Sequence, residues 1–371
     1  MKVAVFLTYN YSLKTWYNSG TLERELKIFK SLHENFNIEF VFFSYSDNSD
    51  KQFLRNYPEF KVVPLYTKIK KNKYFRFFSS LVVNKHILNE IKKCDIIHQH
   101  QLLGSWVSII YKKRAKKPLL IRTGYDMHEF SKLNKESIYK RVFLFFITKI
   151  SLHFSDIYTV ATECDKKIID PSRKKNKSKI RIRPNWIVDN YRKNFVDRDS
   201  FKILSVGRLE DQKNFVSLIR LFDKNSKYML KIIGEGTKKN ELMKLIKKYK
   251  LRVEIVSNIK NEALIDEMNN YKFYISSSKF EGNPKTILEA MSAGCVVIAS
   301  DIKNHQEIIK HQRTGYLFDL DKIDLNEVLD SLLINAEMLN GLSSNAKDFV
   351  INNNHLSILT KNMNKDYLEL I

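Results

Sequence analysis

The sequence predicts an α/β protein of two doubly wound units, each a parallel sheet covered by helices. Its 371 residues alternate short apolar runs with helical stretches, and a polar segment interrupts this alternation near the middle. A single core rarely grows beyond about 250 to 300 residues, so a chain of this length is expected to divide into two domains. Continuous runs of Val, Ile and Phe between amphipathic helices are typical of parallel sheets buried on both faces.

The predicted N-terminal domain covers residues 1–184. Its predicted strands are Lys2–Thr8, Ile38–Ser44, Asp95–Gln99, Pro118–Thr123 and Asp156–Thr162. Its predicted helices are Glu23–Leu32, Leu102–Lys113 and Ser137–Leu152. The first apolar run could pass for the start of a signal peptide. Polar Tyr9, Asn10 and Ser12 follow it at once, without a small-residue cleavage site, so we interpret it as a buried strand.

Residues 185–200 are polar and rich in turn formers, which is typical of a connector between domains. The alternation restarts in the predicted C-terminal domain, residues 201–350. The predicted strands there are Phe201–Val206, Tyr228–Ile233, Arg252–Val256, Lys272–Ser277 and Cys295–Ser300. Residues 351–371 are predicted to form a C-terminal helix, from about Leu356, which could pack back on the N-terminal domain. Ligands of such sheets bind beyond the carboxyl ends of the strands, so we expect the two domains to face a cleft.

Charge and cysteine content narrow the class of protein. The chain has 64 Lys and Arg against 41 Asp and Glu, a formal charge of +23. That surplus could attract nucleic acid, anionic lipid or a phosphorylated substrate, or could reflect a general bias toward lysine.

Cys94, Cys164 and Cys295 are an odd number without paired spacing, which argues against a disulfide framework and a zinc site and favours the cytoplasm. The apolar run Val142–Ile147 is far shorter than the ~20 residues that cross a bilayer.

Glycine is scarce, with ten in 371 residues, and half of these glycines lie near strand-to-helix junctions of the C-terminal domain. They are Gly207, Gly234, Gly236, Gly282 and Gly294. At the first junction, Arg208 and Lys213 precede a helix predicted to begin near Asn214. A helix amino end beside two cations favours an anion such as a diphosphate, although a solvated basic loop is the alternative. Gly234-Glu235-Gly236 lacks the third glycine of a dinucleotide fingerprint and is interpreted as a tight turn.

Another junction combines two carboxylates with a helix start. Pro284 suits the first turn of a helix, which places Glu281 on the preceding loop and Glu289 more than one turn inside. Carboxylates accept hydrogen bonds from vicinal sugar hydroxyls. The backbone N–H groups of Gly282 and Asn283, at the helix amino end, would hold phosphate oxygens. A lone glutamate would be unremarkable on a helix surface, whereas this combination indicates a sugar-phosphate site.

These motifs together resemble family 4 of the retaining GT-B glycosyltransferases, which have two Rossmann-like domains facing a cleft. The signature of that family is two glutamates separated by seven residues, matched here by Glu281 and Glu289. The stretch 207–214 resembles its diphosphate-binding segment, and Gly234-Glu235-Gly236 resembles its next loop. The remaining landmarks are similar to Val296–Asp301, Glu307–Ile309 and Gly315–Leu317. The resemblance is strong over residues 201–320.

The resemblance implies transfer of a hexose or N-acetylhexosamine from a nucleotide sugar, with UDP as the expected nucleotide, and retention of anomeric configuration. It implies a catalytic set of Glu281, Arg208 and Lys213, in which the two cations neutralise the leaving diphosphate without a metal ion. Glu281 is expected to bind the transferred sugar. The implied donor-binding residues are Glu289, Gly207, Gly234, Gly236, Gly282, Asn283, Pro284 and Thr286. No cofactor is expected.

In the N-terminal domain the resemblance is carried by Asn18-Ser19-Gly20 before a helix, and at its end by Pro184-Asn185 to Asp189. The implied acceptor or cleft residues are Gly20, Glu23, Tyr125 and His128. The family often has a histidine after the fourth strand. This chain reads Arg122-Thr123-Gly124-Tyr125-Asp126-Met127-His128 there, and Tyr125 or His128 could take its place.

Two N-terminal segments interleave cations with aromatic and aliphatic residues, namely Lys68–Lys93 and Lys140–Phe154. Such segments dock on anionic bilayer surfaces, although ordinary amphipathic helices packed on a sheet have a similar pattern. We expect a bacterial, cytoplasmic enzyme in peripheral contact with the inner face of the plasma membrane. Its expected acceptor is a saccharide or a lipid-linked acceptor in polysaccharide or lipopolysaccharide assembly.

Other functions use parts of the same pattern. A sugar-nucleotide 2-epimerase would share the fold, but the paired glutamates with Arg208 and Lys213 favour a transferase. Charge alone suggests a nucleic-acid-binding protein. The basic residues are scattered and no nucleic-acid motif is recognised, so no nucleic acid partner is expected. An NAD enzyme is disfavoured because no glycine follows the first strand until Gly20.

Overall fold

The computed structural model describes residues 1–66, 72–171, 179–319 and 321–371. The chain divides into two compact units. Unit 1 consists of Met1–Pro184 and Leu359–Ile371, and unit 2 consists of Asn185–Ile358. Each unit contains one parallel sheet covered by helices, so the predicted class of two doubly wound α/β units is confirmed.

The sheet of unit 1 has the strand order β3-β2-β1-β4-β5-β6-β7. Its strands are β1 Lys2–Phe6, β2 Glu39–Ser44, β3 Phe60–Pro64, β4 Ile96–Gln99, β5 Leu119–Arg122, β6 Ile157–Val160 and β7 Ile180–Ile182. The interpretation of the first apolar run as a strand is confirmed, because β1 lies in the middle of the sheet between β2 and β4. The sequence predicts neither β3 nor β7, which form the two edges and have short apolar runs.

Helices cover the sheet of unit 1. They are α1 Leu13–Asn18, α2 Leu22–Phe36, α3 Lys73–Ser80, α4 Lys85–Lys92, α5 Ser105–Ala115, α6 Met127–Leu133, α7 Ile138–Phe154 and α8 Glu163–Ile169. The three predicted helices correspond to α2, α5 and α7. Helix α2 shows why they form: Leu22, Leu26 and Phe29 recur at helical spacing and are buried. The helix ends at Asn37, which adopts the left-handed conformation that asparagine tolerates.

The sheet of unit 2 has the strand order β10-β9-β8-β11-β12-β13, and all its strand pairs are parallel. Its strands are β8 Asp199–Val206, β9 Met229–Ile233, β10 Val253–Val256, β11 Tyr271–Ser276, β12 Val296–Ser300 and β13 Tyr316–Phe318. The direction of strand order reverses between β8 and β11, which are neighbours. The loops that follow these two strands therefore emerge side by side, at the position where open parallel sheets bind ligands.

The helices of unit 2 lie between and after these strands. They are α9 Phe215–Leu218, α10 Lys239–Tyr249, α11 Asn261–Met268, α12 Lys285–Ser292, α13 Lys303–Ile308, α14 Leu325–Ile334 and α15 Ala336–Asn354. Helix α12 ends before Gly294, whose φ of +83° is the left-handed conformation typical of a glycine after a helix. Residues 185–198, which composition indicates as a connector, pack within unit 2, where Phe195 is part of the core.

The last helix, α16 Leu356–Leu368, begins in unit 2, and its residues from Leu359 onward belong to unit 1. In unit 1 the Tyr367 hydroxyl lies 2.6 Å from Nδ1 of His98 on β4. The Asp366 carboxylate accepts hydrogen bonds from Arg181 and Arg183 at strand β7. These polar contacts attach the C-terminal helix to the sheet of unit 1. In the part of the chain that the structure describes, no helix combines the length and the apolar character needed to cross a bilayer.

Candidate functional site

The loops after β8 and β11 bring together residues that are about seventy positions apart in the sequence. Lys213 Nζ donates to Oε1 of Glu281 at 2.5 Å. Ser278 Oγ donates to the same carboxylate oxygen at 2.6 Å. Glu281 is only 8% exposed, so an ion pair and a hydroxyl compensate the burial of its charge. The structure therefore joins two of the three predicted catalytic residues in one cluster.

The loop after β8 is shaped to direct Lys213 toward β11. Residues Asp211–Lys213 form a turn of 3₁₀ helix, and Asn214 follows in the left-handed conformation with φ of +55°. The aliphatic part of the Lys213 side chain lies over Gly207, where an added Cβ would come within 3.1 Å of Lys213 Cε. Glycine at this position therefore lets the lysine side chain pack closely on the backbone at the end of β8.

Arg208 lies at the exposed margin of this cluster. Its Nη2 donates to Oε1 of Gln212 at 3.2 Å, and Nε2 of Gln212 donates to the carbonyl of Phe280 at 3.0 Å. The same Gln212 nitrogen is 3.4 Å from Oε2 of Glu281. Gln212 thus connects the predicted diphosphate-binding arginine to the loop that carries Glu281. The guanidinium of Arg208 stays accessible to a ligand.

Glu289 occupies the fifth position of α12 and is 5% exposed. Its Oε1 accepts a hydrogen bond of 3.2 Å from Nδ2 of Asn261, at the start of α11. A buried carboxylate with four acceptor positions and one neutral donor retains capacity for hydroxyl donors. This is the chemistry expected of a group that binds vicinal hydroxyls.

Gly234 and Gly236 lie in close contact with the backbone of the loop after β8. A Cβ on Gly234 would lie 2.0 Å from the carbonyl oxygen of Gly207, and one on Gly236 would lie 2.5 Å from that of Leu209. These glycines therefore allow the loop after β9 to pack against the backbone of the loop after β8. They hold the loop that carries Arg208 and Lys213 in place through main-chain contact, and their φ values are not left-handed.

The loop before α12 is held by its neighbours in unit 2. Asn283 Oδ1 accepts from the backbone N–H of Asn185 at 2.8 Å, and its carbonyl accepts from Asn185 Nδ2 at 2.6 Å. Both bonds use oxygens of Asn283, so they do not occupy its backbone N–H. The structure places Pro284 at the N-cap and begins α12 at Lys285, one residue later than the sequence predicts. Gly282 is buried beside Glu281, and Thr286 lies next to the buried Tyr274 hydroxyl.

Sequence reasoning missed several polar partners in unit 2, namely Gln212, Asn261, Ser278 and His305. His305 is fully buried on α13, where its Nδ1 donates to the carbonyl of Ser300 at 2.8 Å. Burial lowers the pKa of His305 below its ordinary value, so the ring is neutral. The Ser276-Ser277-Ser278 run directly after a strand was the available signal for Ser278. Asn261 has no comparable local signal, because its partner Glu289 is distant in sequence.

The predicted residues of unit 1 come from two regions of the chain, the start of α2 and the start of α6. Gly20 has a φ of +68°, and Glu23 is exposed on the first turn of α2. The rings of Tyr125 and Phe130 have centroids 4.2 Å apart and are tilted by 35°. His128 Nδ1 donates to the carbonyl of Arg141 at 2.9 Å. Of the two candidates for the place of the family histidine, His128 is tied to α7 and Tyr125 is the more exposed.

A buried polar group lies at the carboxyl ends of β4 and β5. His100 Nε2 is 3.3 Å from Oε2 of Glu25, on α2. Burial raises the pKa of Glu25, but His100 and Arg24 outweigh it and hold the pKa well below its usual range. The nearby His98 is fully buried, and burial together with the His100 and Arg122 charges lowers its pKa well below 6.5.

We expect the free energy of unfolding to decrease as the pH falls below about 6.5, because unfolded His98 takes up a proton that the folded unit excludes. The expected loss is about 1.4 kcal/mol per pH unit until the depressed pKa of the folded state is reached. Urea denaturation at pH about 7.5 and about 5.5 measures this loss of unfolding free energy, with the fluorescence of Trp16 and Trp106 as the signal. A His98→Asn protein with an unchanged pH slope would contradict this assignment.

Known proteins resemble the chain in both sequence and structure. Residues 189–349 match the family described as Glycosyl transferases group 1. An uncharacterized glycosyltransferase of Methanocaldococcus jannaschii is 28% identical over 299 residues, which cover 65% of this chain and 71% of that protein. The UDP-Gal:alpha-D-GlcNAc-diphosphoundecaprenol alpha-1,3-galactosyltransferase of Escherichia coli is 24% identical over 307 residues, covering 73% of this chain and 74% of that enzyme.

The crystal structure of HepE from Anabaena in complex with UDP has a TM-score of 0.76 over 100% of both chains. The sequence identity is 12%, so this likeness shows the fold alone. The two doubly wound units, the family match and the related transferases all indicate the same class of enzyme. The chain is a glycosyltransferase of the GT-B fold, an enzyme of the hexosyltransferase class.

Proposed function

We propose that this enzyme transfers a hexose or N-acetylhexosamine from a UDP-sugar, with retention of configuration, to a saccharide or lipid-linked acceptor. The reaction would serve the assembly of a cell-surface polysaccharide or lipopolysaccharide. The observation that carries the proposal is the cluster of Lys213, Glu281 and Ser278 at the switch point of unit 2. A cation, a carboxylate and a hydroxyl in one cluster support the binding of a sugar joined to a phosphate.

The cations would supply the electrostatic part of the reaction. Lys213 has three N–H donors and can keep one on Glu281 while directing others to the leaving diphosphate. Exposed Arg208 offers a planar fork that matches phosphate oxygens. Fixed positive charge at the point where negative charge develops stabilises the transition state. We therefore propose catalysis without a metal ion, and a transfer assay in the presence of a chelator tests that part.

The carboxylates would orient the donor. We assign Glu289 to the ribose hydroxyls and Glu281 to the transferred sugar. In the transfer step the bond between the anomeric carbon and the phosphate oxygen breaks, and the acceptor oxygen bonds to the same face of that carbon. The proton of the acceptor hydroxyl passes to the leaving phosphate, so charge and atoms balance without another base.

The membrane contact is supported by exposed aromatic residues in unit 1. Phe75 and Phe78 on α3 are exposed, as are Tyr139 and Phe146 on α7. Such residues beside lysines favour an anionic bilayer surface. The E. coli relative acts on a diphosphoundecaprenol-linked acceptor, which such a surface would meet. Of the basic segment Lys68–Lys93, residues 68–71 lie outside the described part of the chain.

The donor assignment predicts a loss of ligand-induced stabilisation. We expect UDP-sugars to raise the Tm of the wild-type protein, and Glu289→Gln to reduce that shift strongly, because the ribose loses a charged acceptor. Differential scanning fluorimetry with a panel of nucleotide sugars measures the shift. Glu254→Gln is the matched control, since Glu254 is exposed on β10 in the same unit. Equal shifts in both variants would overturn the assignment.

A transfer assay tests the reaction itself. Purified enzyme, the stabilising nucleotide sugar and diphosphoundecaprenol-linked saccharides should give an elongated product with an α linkage from an α-linked donor, detectable by NMR. A β-linked product would reject retention. Release of free sugar alone, without transfer to any saccharide, would reject the proposed acceptor class.

A further inference from the structure

Unit 1 contains a cavity of about 550 Å³. Its lining includes none of the residues assigned to donor binding or to the transfer step. It lies beneath α3, between that helix, the start of α4 and the segments that follow β2 and β3. Tyr45 and Tyr66 form the side next to the sheet, because each comes after the carboxyl end of its strand. Carboxyl ends of parallel strands are where this class of sheet binds ligands.

Most of the cavity wall is apolar. Its lining includes Phe75, Phe78, Val83, Ile87 and Val107. At its mouth Phe78 is 64% exposed and Val82 is 70% exposed. Large apolar side chains left in water beside a cavity mark a surface that is covered when a ligand or a membrane is present.

The cavity also has a polar side that the protein leaves without partners. Within the described residues, the hydroxyl oxygens of Tyr45 and Tyr66, which line the cavity, are buried and make no hydrogen bond. The same holds for Nε of Arg76, which does not line the cavity but whose charge lies close enough to Tyr66 to affect its phenol. Buried polar atoms are nearly always bonded to the protein or to ordered water, and a bound ligand is one explanation for an exception. Burial raises the pKa of the Tyr66 phenol to about 12, and the nearby Arg76 charge lowers it slightly. Both phenols are therefore neutral donors, and Arg76 is a cation beside one of them.

Two neutral O–H donors and a guanidinium fit an oxyanion. Arginine forms strong charge-assisted bonds with phosphate oxygens, and tyrosine hydroxyls add donors without charge. A free phosphate would leave the apolar wall in contact with water, and an uncharged lipid would leave the three polar groups unbonded. An amphiphile with an anionic head satisfies the apolar wall, the two hydroxyls and the nearby guanidinium together.

The apolar surface continues from the cavity toward α7. Trp106 on α5 contacts Phe77 of α3 at 5.6 Å and Phe143 of α7 at 6.2 Å between ring centroids. The exposed residues of α3 and α7 are thus joined by one aromatic row. A long chain leaving the cavity could follow this row into the bilayer.

We propose that this cavity binds the diphosphate and the first isoprenoid units of the lipid-linked acceptor, with Arg76, Tyr45 and Tyr66 bonding the diphosphate. The proposal rests on the proposed function, since it specifies where that acceptor is held. The saccharide then extends away from the anchored diphosphate, and the rest of the lipid follows the apolar wall.

Farnesyl diphosphate is a soluble probe of this site, and saturating UDP blocks its binding to the donor site of the full-length enzyme. Isothermal titration should detect binding to the wild type. The Tyr66→Phe and Arg76→Gln double variant should bind about 10- to 100-fold more weakly, because it loses a hydroxyl donor and a cation. The matched control combines Tyr17→Phe and Arg55→Gln, both exposed in unit 1, and should bind as the wild type does.

Farnesol and inorganic diphosphate distinguish the sources of affinity. We expect both to bind at least about tenfold more weakly than farnesyl diphosphate. Inorganic diphosphate binding as tightly would overturn the lipid assignment, and equal binding by the double variant would overturn the assigned residues. Stabilisation by UDP-sugars should be unchanged in the double variant. If the wild type transfers sugar but does not bind farnesyl diphosphate, this proposal fails and the proposed function stands. If no donor binds, the proposed function itself fails.

Discussion

Replacing Lys213 with methionine is expected to lower kcat/KM for sugar transfer by about 10²- to 10³-fold. Methionine keeps most of the aliphatic length that lies over Gly207 but removes the charge. The leaving diphosphate then lacks a fixed cation at the moment when its negative charge develops. Initial rates over a range of donor concentrations measure kcat and KM separately, and the larger effect should fall on kcat.

The same change also leaves the buried Glu281 without its ion pair, so stability must be measured in parallel. Glu281→Gln and the double variant with Lys213→Met complete a cycle that separates the pair from the effect of Lys213 on the diphosphate. Lys244→Met is the control, since Lys244 is exposed on α10. If Lys213→Met matches that control in kcat/KM, Lys213 has no part in catalysis.

Asp366→Ala is expected to lower the free energy of unfolding by about 3 to 5 kcal/mol. The Asp366 side chain is 0% exposed and bonds both Arg181 and Arg183 at the edge strand β7. Arg183 donates to it through Nε at 2.7 Å and through Nη2 at 2.5 Å. Without the carboxylate, two poorly solvated guanidinium groups remain beside each other, which leaves residues 359–371 weakly attached to unit 1. Urea denaturation and hydrogen exchange in α16 measure the loss.

Glu369→Gln is the matched control for this change. Glu369 also pairs with Arg181, at 2.6 Å, but its side chain is 45% exposed. A surface ion pair of this kind is expected to contribute less than about 1 kcal/mol. Equal destabilisation by the two substitutions would contradict the special importance of the buried carboxylate.

The central strands of both units were predictable because each has a run of apolar residues buried on both faces. The sequence predicts no strand at β3, β7 or β13, and each of these lies at the edge of its sheet. An edge strand pairs on one side only and can be short, so its local signal is weak. The first and last residues of the strands differ by a few positions from the prediction. The reason is that pairing at a strand end depends on how far the neighbouring strand extends.

Within the site, Lys213, Glu281 and Glu289 were identifiable from residue type and spacing. The contact between Lys213 and Glu281 was not, because it depends on β8 and β11 being neighbours in the sheet. The contact of Gly234 with the loop after β8 was not identifiable either. A side chain at position 234 would collide with the backbone of the adjacent loop. A sequence has no local signal for such a contact between two loops.

By itself the sequence determined the α/β class, the two repeated units and the residue types suited to a sugar phosphate. These follow from apolar periodicity and from residues close together along the chain. Only the tertiary structure decided which loops meet, which side chain compensates each buried charge, and where α16 attaches. Those features arise from contacts between distant segments, and their energies depend on burial and distance, which have no local pattern in the sequence.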